Sequence, residues 1–276
     1  MSRFSDTTRT RFDLHLHTVA SDGRFSASEV LRRCARGGLD VIALTDHDLA
    51  TVVPTGVHEL EGRRLHVLGG AEVSGSHEGH EYHLLVYFPG DVPQGFRDFC
   101  RLQCQARADR YDHAVRSMQL PHVPASDASA LRGDRALTRS HLARALVAAG
   151  HAPSHGDAFA QYLSHRHGHV PTLDLPFVEA IAVARAFGGL TSWAHPPLQA
   201  VRDHVATFAA AGLQGLEALR PMVNGKARKA YKKAAKRHGL FLTGGSDFHG
   251  WKDPDLGLFR VEGREISDFV DALRAA

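Results

Sequence analysis

The sequence predicts an α/β barrel, with parallel strands inside, helices outside and one helical insertion. Three observations point there. Short, nearly all-apolar segments alternate with amphipathic helical ones, the pattern of repeated βα units. Seven or so such strands fall within one chain of 276 residues, which favours a closed barrel over an open sheet. Most of these strands end in His, Asp or Glu, and in a barrel those ends meet on one face.

Residues 1–10 are polar and read as a loose tail, without the apolar segment of a secretion signal. Arg11 to His17 reads as the first strand. Within Asp13-Leu14-His15-Leu16-His17-Thr18, alternation puts His15 and His17 on one face and Leu14 and Leu16 on the other. Two imidazoles side by side at a strand end suit a metal at a barrel mouth, although a His-x-His pair also arises by chance among 20 His. Thr18 to Phe25 is a loop. Ser26 or Ser28 then caps a helix that Gly37-Gly38 ends. Leu39 to Thr45 is a second, buried strand ending in Asp46-His47-Asp48, and residues 65–74 are a third, carrying Glu72. Tyr82 to Phe88 is a fourth, with His83 near its start.

From 92 to 172 no buried strand interrupts a run of helices, at Gln94 to Gln119, Ser140 to Ala149 and around Asp157 to Leu163. This stretch reads as a helical insertion (cap) between the two parts of the barrel domain, 1–91 and 173–276. The alternation then resumes. Helices are expected at Leu175–Phe187, Gln199–Ala211 and Asn224–His238, with a last one from near Ser267. Strands are expected at Gly189–Ala194, Leu213–Leu219 and Leu240–Thr243. They supply His195, Glu217 and the pair Asp247/His249.

Hydrophobic residues at 43% support a large core, and no apolar run reaches the ~20 residues of a membrane span. Net charge is +3 and scattered, so composition does not force a nucleic-acid partner. Cys34, Cys100 and Cys104 form no CxxC pair and read as buried thiols. A cytoplasmic protein with no membrane association and no stable protein partner is expected. Mixed imidazole and carboxylate donors suit Mn²⁺, Zn²⁺ or Fe²⁺, and there are too many for one ion.

His15-Leu-His17, Thr45-Asp46-His47-Asp48, Gly70-Ala71-Glu72, His83, Ala194-His195-Pro196 and Gly245-Ser246-Asp247-Phe248-His249-Gly250 together resemble the motif set of the PHP (polymerase and histidinol phosphatase) family, in order from about residue 11 to 250. The resemblance is strongest to its stand-alone 3′,5′-nucleotide bisphosphate phosphatases and 5′→3′ RNA-trimming exonucleases. It implies a distorted (β/α)7 TIM-like barrel with two or three divalent ions, Mn²⁺ first and Zn²⁺ or Fe²⁺ as alternatives. It implies ligands His15, His17, Glu72 and Asp247 for one ion, Glu72 as a bridge with His83 and His195 for a second, and Asp22, His47 and His249 for a third. Asp22 rests on the resemblance alone. A hydroxide bridging the first two ions would attack phosphorus. Thr138-Arg139-Ser140-His141 resembles the Arg-x-His segment of these phosphatases, so Arg139 is expected to grip phosphate and His141 to hold it or protonate the leaving oxygen.

Asp48 is expected either to touch substrate or to cap a following helix. Arg220, in Glu217-Ala-Leu-Arg220, departs from the family pattern and is expected to offer a further substrate contact. Asp46 reads as a partner fixing His47, and Glu217 as a structural acceptor. The cations of 226–237 read as a solvated helix face, with an RNA-holding surface as the lesser reading. The expected activity is hydrolysis of a phosphomonoester of a small nucleotide, such as a 3′,5′-bisphosphate or 5′-monophosphate. Trimming of short RNA from its 5′ end is the alternative, and a non-catalytic metal-binding regulatory module the alternative from another class. An amidohydrolase ranks below these, because no strand offers a Lys for carboxylation.

Overall fold

A computed structural model describes residues 8–251 and 254–276; the expectations for 1–7 lie outside the described residues. The first strands are β1 (Arg11–Leu16) and β2 (Val41–Leu44), joined through α1 (Ala27–Arg36). Ser26 caps α1 by accepting the Glu29 N–H. Two further strands follow, β3 (Gly56–Leu60) and the long β4 (Arg63–His77), then β5 (His80–Phe88). Beyond the insertion come β6 (Leu190–Trp193), β7 (Gly215–Leu219), β8 (Phe241–Gly244) and the two-residue β9 (Val261–Glu262). The sheet runs β8-β7-β6-β5-β4-β2-β1-β9, with β3 hung on β4. The β8 and β1 ends approach one another: the His17 N–H donates to the Phe248 carbonyl at 2.9 Å, so β1, β2 and β4 to β8 form a nearly closed seven-stranded barrel. Gly245 permits that approach, since a Cβ there would lie 2.4 Å from the Cβ of His15.

Two features differ from the expected all-parallel alternation. β5 runs antiparallel to both β4 and β6. Only Glu78 and Gly79, both at positive φ (49° and 76°), separate β4 from β5, and a two-residue turn makes a hairpin, never a crossover. The start of β5 therefore lies at the rim where its neighbours end, and His83 arrives there from the opposite chain direction. The second difference is in β1. Asp13 pairs Ile42 and Leu16 pairs Leu44, so one extra residue is inserted on β1. This bulge puts Leu14 with Phe12 in the barrel interior, while Leu16 packs with Val30, Leu31 and Cys34 beneath α1; the two leucines do not share a face.

The insertion holds α2 (Gln94–Met118), α3 (Ala128–Leu131), α4 (Arg139–Ala148) and α5 (His155–Ala158), the last continued by a π-turn over Phe159–Leu163. Tyr111, Leu137, Leu142, Leu146 and Leu163 give it a core of its own. The remaining helices, α6 (Phe177–Ala186), α7 (Leu198–Ala210), α8 (Gly225–His238) and α9 (Ser267–Ala275), cover the barrel. α9 packs Phe269 against Tyr87 and Phe241 at the barrel interior. Among the described residues no helix is long and apolar enough to cross a membrane.

Candidate metal centre

Glu72 stands at the centre of the rim, fully buried. Its Oε1 lies 3.3 Å from His15 Nε2, 3.1 Å from His83 Nδ1 and 2.9 Å from His195 Nε2. Its Oε2 lies 3.4 Å from His17 Nε2 and 3.0 Å from His47 Nδ1. Asp247 Oδ1 approaches His15 Nε2 at 3.4 Å and His17 Nε2 at 3.2 Å. On the other side, Asp22 Oδ1 lies 3.2 Å from His249 Nε2 and 3.8 Å from His47 Nε2. All the side chains expected as metal ligands thus meet at one rim, drawn from β1, the loop after it, the ends of β2, β6 and β8, the middle of β4 and the start of β5.

The donor atoms fit a cluster of divalent ions. His15 Nε2, His17 Nε2, Asp22 Oδ1, His47 Nδ1 and Glu72 Oε2 are all buried and make no hydrogen bond. Leaving so many polar atoms dry and unsatisfied is costly unless a cation completes them. The donors fall into overlapping groups, His15/His17/Asp247, His15/Glu72/His195, His47/Glu72/His83 and His17/Asp22/His47/His249, so one ion cannot use them all. Asp48, His195 and Asp247, at φ 48°, 27° and 56°, hold left-handed backbone around this rim, where local strain concentrates at functional sites.

Electrostatics keep the carboxylates ionised and leave protons on His83 and His249 that a bound ion would displace. Burial pushes the Glu72 carboxyl up, but His47, His15 and His83 outweigh it and hold it well below the carboxylate range. Asp22 behaves likewise, burial being overcome by His47 and His249. Burial also opposes charge on His83, yet Glu72 and Glu81 raise it to about 10. His17 moves the other way, to about 4, through burial and the neighbouring His249 and His47. The carboxylates therefore stay ionised, ready for metal.

An outer layer orients this set. Glu217 accepts from His15 Nδ1 at 2.9 Å and from the backbone N–H of His195 at 2.6 Å, an acceptor's role as expected. Asp46 does not hold His47. It accepts instead from the Thr18 and Ser21 backbone N–H groups at 2.8 and 3.2 Å and from both hydroxyls, which shapes the loop carrying Asp22. Asp48 is not placed to touch substrate or to cap a helix. It is fully buried, pairs with Arg107 of α2 and accepts the Ser74 N–H at 2.7 Å, and the next element after it is the strand β3. Arg220 lies with its Nε 3.9 Å from Glu217 Oε2.

The insertion closes the other side. Thr138 caps α4, and its hydroxyl donates to Asp22 Oδ2 at 3.0 Å. A cavity of about 130 Å³ lies between the rim and this helix start, lined by the rim residues Asp22, His47 and His83, by Glu81, and by Arg107, Arg110, Thr138, Arg139, Ser140 and Phe159 of the insertion. Arg107 is paired there with Asp48 and Arg110 with Glu81, beside the N-terminus of α4. His141 Nδ1 accepts the Thr138 N–H at 3.1 Å, and burial, Arg144 and Arg135 lower its pKa to about 3. Sequence reasoning missed Arg107 and the Arg110–Glu81 pair at 2.5 Å, which backs His83 through Glu81 Oε1 at 3.5 Å. The signal was present: Phe96, Cys100, Cys104, Arg107 and Tyr111 trace one helical stripe, so an Arg on it had to be buried and paired.

Comparison with known proteins agrees with this geometry. The chain is 32% identical over 248 residues to the 5′-3′ exoribonuclease Rnm of Salmonella typhimurium, covering 86% of this chain and 85% of that one. It is 27% identical to a 3′,5′-nucleoside bisphosphate phosphatase of Chromobacterium violaceum, over 86% of each chain. A crystal structure from Bifidobacterium adolescentis, described as a candidate metal-dependent phosphoesterase, superposes with a TM-score of 0.73 and 26% identity, covering 95% of this chain and 96% of that one. The PHP domain model matches residues 13–171, more than half of the chain and all the rim donors up to His83. The chain belongs to the PHP domain family.

Proposed function

We propose that this PHP domain chain, a metal-dependent phosphoesterase, hydrolyses the phosphomonoester of a small nucleotide such as a 3′,5′-bisphosphate or 5′-monophosphate. The observation that carries this reading is the shared cavity, lined by metal donors together with Arg107, Arg110, Arg139 and the α4 N-terminus. A small cavity that joins metal donors to Arg139 and a helix N-terminus suits a terminal phosphate, which carries more charge than an internal diester. Salmonella and Chromobacterium relatives named as an exoribonuclease and a nucleoside bisphosphate phosphatase both handle phosphate esters of nucleotides.

In this proposal His15, His17, Glu72 and Asp247 hold one divalent ion, Glu72 is shared with a second held by His83 and His195, and Asp22, His47 and His249 hold a third. Mn²⁺ is the proposed ion, with Zn²⁺ or Fe²⁺ able to use the same donors. Such ions, when bound, acidify water and neutralise phosphate oxygens. The chain's own groups do the rest. Arg139 offers a planar fork to two phosphate oxygens. His141, neutral and with Nδ1 occupied by the Thr138 N–H, presents its Nε2–H as a donor. Residues 92–172 act as the cap that encloses the phosphate over a barrel formed by 1–91 and 173–276, and the protein acts in the cytoplasm.

A second reading, 5′→3′ trimming of short RNA, draws on α8. That helix carries Lys226, Lys229, Lys232, Lys233, Lys236 and Arg237 exposed and has no acidic residue. One experiment separates the two: metal analysis of the purified protein, then assay of phosphate release from nucleotides and bisphosphates beside 5′-labelled RNA of increasing length. Inorganic phosphate from nucleotides with intact RNA supports the phosphatase. Length-dependent release of mononucleotides supports the trimming enzyme. No product from either class with Mn²⁺, Zn²⁺ or Fe²⁺ overturns both.

A further inference from the structure

We propose that His77, Glu78 and His204 form a separate binding site for one zinc-like divalent ion, which clamps the β4–β5 hairpin to α7. None of the three belongs to the rim centre. His77 is the last residue of β4, Glu78 the first residue of the hairpin turn, and His204 lies in the middle of α7.

The two rings are already positioned by packing. They meet edge to face with centroids 4.9 Å apart, and both lie on Phe208, at 5.0 and 5.9 Å. Tyr82 flanks His204 at 6.2 Å. This fixes both imidazoles without using their outer nitrogens. His77 Nε2 lies 3.7 Å from Glu78 Oε1, and His204 Nε2 lies 4.0 Å from Glu78 Oε2.

Those separations are too long for hydrogen bonds but close to what metal ligands need. One donor atom from each residue lies within 4.8 Å of the others. Zinc ligands at about 2.0–2.1 Å in tetrahedral array sit about 3.3 Å from one another. The contraction required between Glu78 and the two imidazoles is small. It falls on Glu78, whose side chain is 69% exposed and free to swing, while the His side chains are only 22% and 15% exposed. Two imidazoles and one carboxylate, with a water completing the shell, select a borderline-soft ion over Mg²⁺ or Ca²⁺.

The site's location gives it a mechanical consequence. The hairpin carries Glu72 and His83, and α7 follows His195 by way of Pro196 and Pro197. One cavity of about 620 Å³ runs between them, with His83 and His195 at one part and Glu78 and His204 at another. An ion joining the hairpin tip to α7 therefore fixes the two walls that present three of the rim donors.

The test uses the full chain loaded with Zn²⁺ and desalted without chelator. Zinc content is read by mass spectrometry for the native protein, Glu78→Ala and His204→Ala. Each variant is expected to hold one equivalent less than the native protein. Adding Zn²⁺ to the Mn²⁺-loaded protein is expected to raise the melting temperature of the native chain by more than that of either variant, since exchange at the rim is common to all three. Glu78 is exposed, so its variant folds whatever His204→Ala does. Unchanged zinc content in either variant overturns the three-residue site.

Discussion

Glu217 accepts the Nδ1–H of His15 at 2.9 Å. A carboxylate oxygen accepts, so this contact occupies His15 Nδ1 and leaves Nε2 as the ring nitrogen that faces Glu72 and Asp247. The second oxygen of Glu217 accepts the His195 N–H at 2.6 Å and so supports His195 at its φ of 27°. One buried carboxylate therefore orients the ring of one proposed ligand and supports the backbone of another.

Glu217→Gln is expected to lower metal affinity or activity about 10–100-fold, the usual effect of losing such a partner. The amide can accept from one of the two N–H groups but turns its own donor toward the other. Metal titration followed by calorimetry checks this. Binding as tight as in the native protein would show that Glu217 only fills space.

Much of the rim was legible because most donors follow or end an apolar segment. His15/His17, His47, His195 and Asp247/His249 sit where periodicity already placed strand ends, while Glu72, expected near the end of a strand over 65–74, lies inside the longer β4. Asp22 was not legible from spacing: it lies in a loop, and the loop's shape comes from Asp46, some 25 residues away in sequence. The direction of β5 was not legible either, because Glu78-Gly79 lacks the Asn-Gly or Asp-Gly signature of a type I′ turn. The Leu14/Leu16 alternation failed at a bulge, which leaves no local mark in composition. β3 escaped because it is a half-exposed strand on the outside of β4, and β9 because it is two residues long.

Arg107 links the insertion to the barrel. It is 2% exposed, pairs with Asp48 and donates to Ser74 Oγ at 2.5 Å. Arg107→Ala strands a buried carboxylate and is expected to cost about 3–5 kcal/mol. The double variant Arg107→Met with Asp48→Asn is expected to lose much less. No charge is then left unpaired, and Asn tolerates the positive φ at this position while still accepting the Ser74 N–H. Urea unfolding of the metal-free proteins measures both. Equal losses in the single and double variants would show that packing of the Arg stem, not the ion pair, carries the stability.

Arg139 and His141 lie two residues apart at the start of α4, and their contributions separate in kinetics. A lost charge-assisted contact is worth about 1.5–3 kcal/mol, so Arg139→Ala is expected to raise KM by about 10–100-fold. His141 differs because its pKa of about 3 leaves it neutral through the working range. The sign follows from the direction of the shift: a depressed histidine carries its proton only below that value, so at pH 7 it has no second proton to give. As a neutral donor through Nε2 it can be replaced in part by an amide. His141→Gln is accordingly expected to raise KM several-fold while the pH dependence of kcat keeps its form. A collapse of kcat by more than about 100-fold in His141→Gln, with KM unchanged, would mean that bound phosphate restores the imidazolium and that His141 protonates the leaving oxygen.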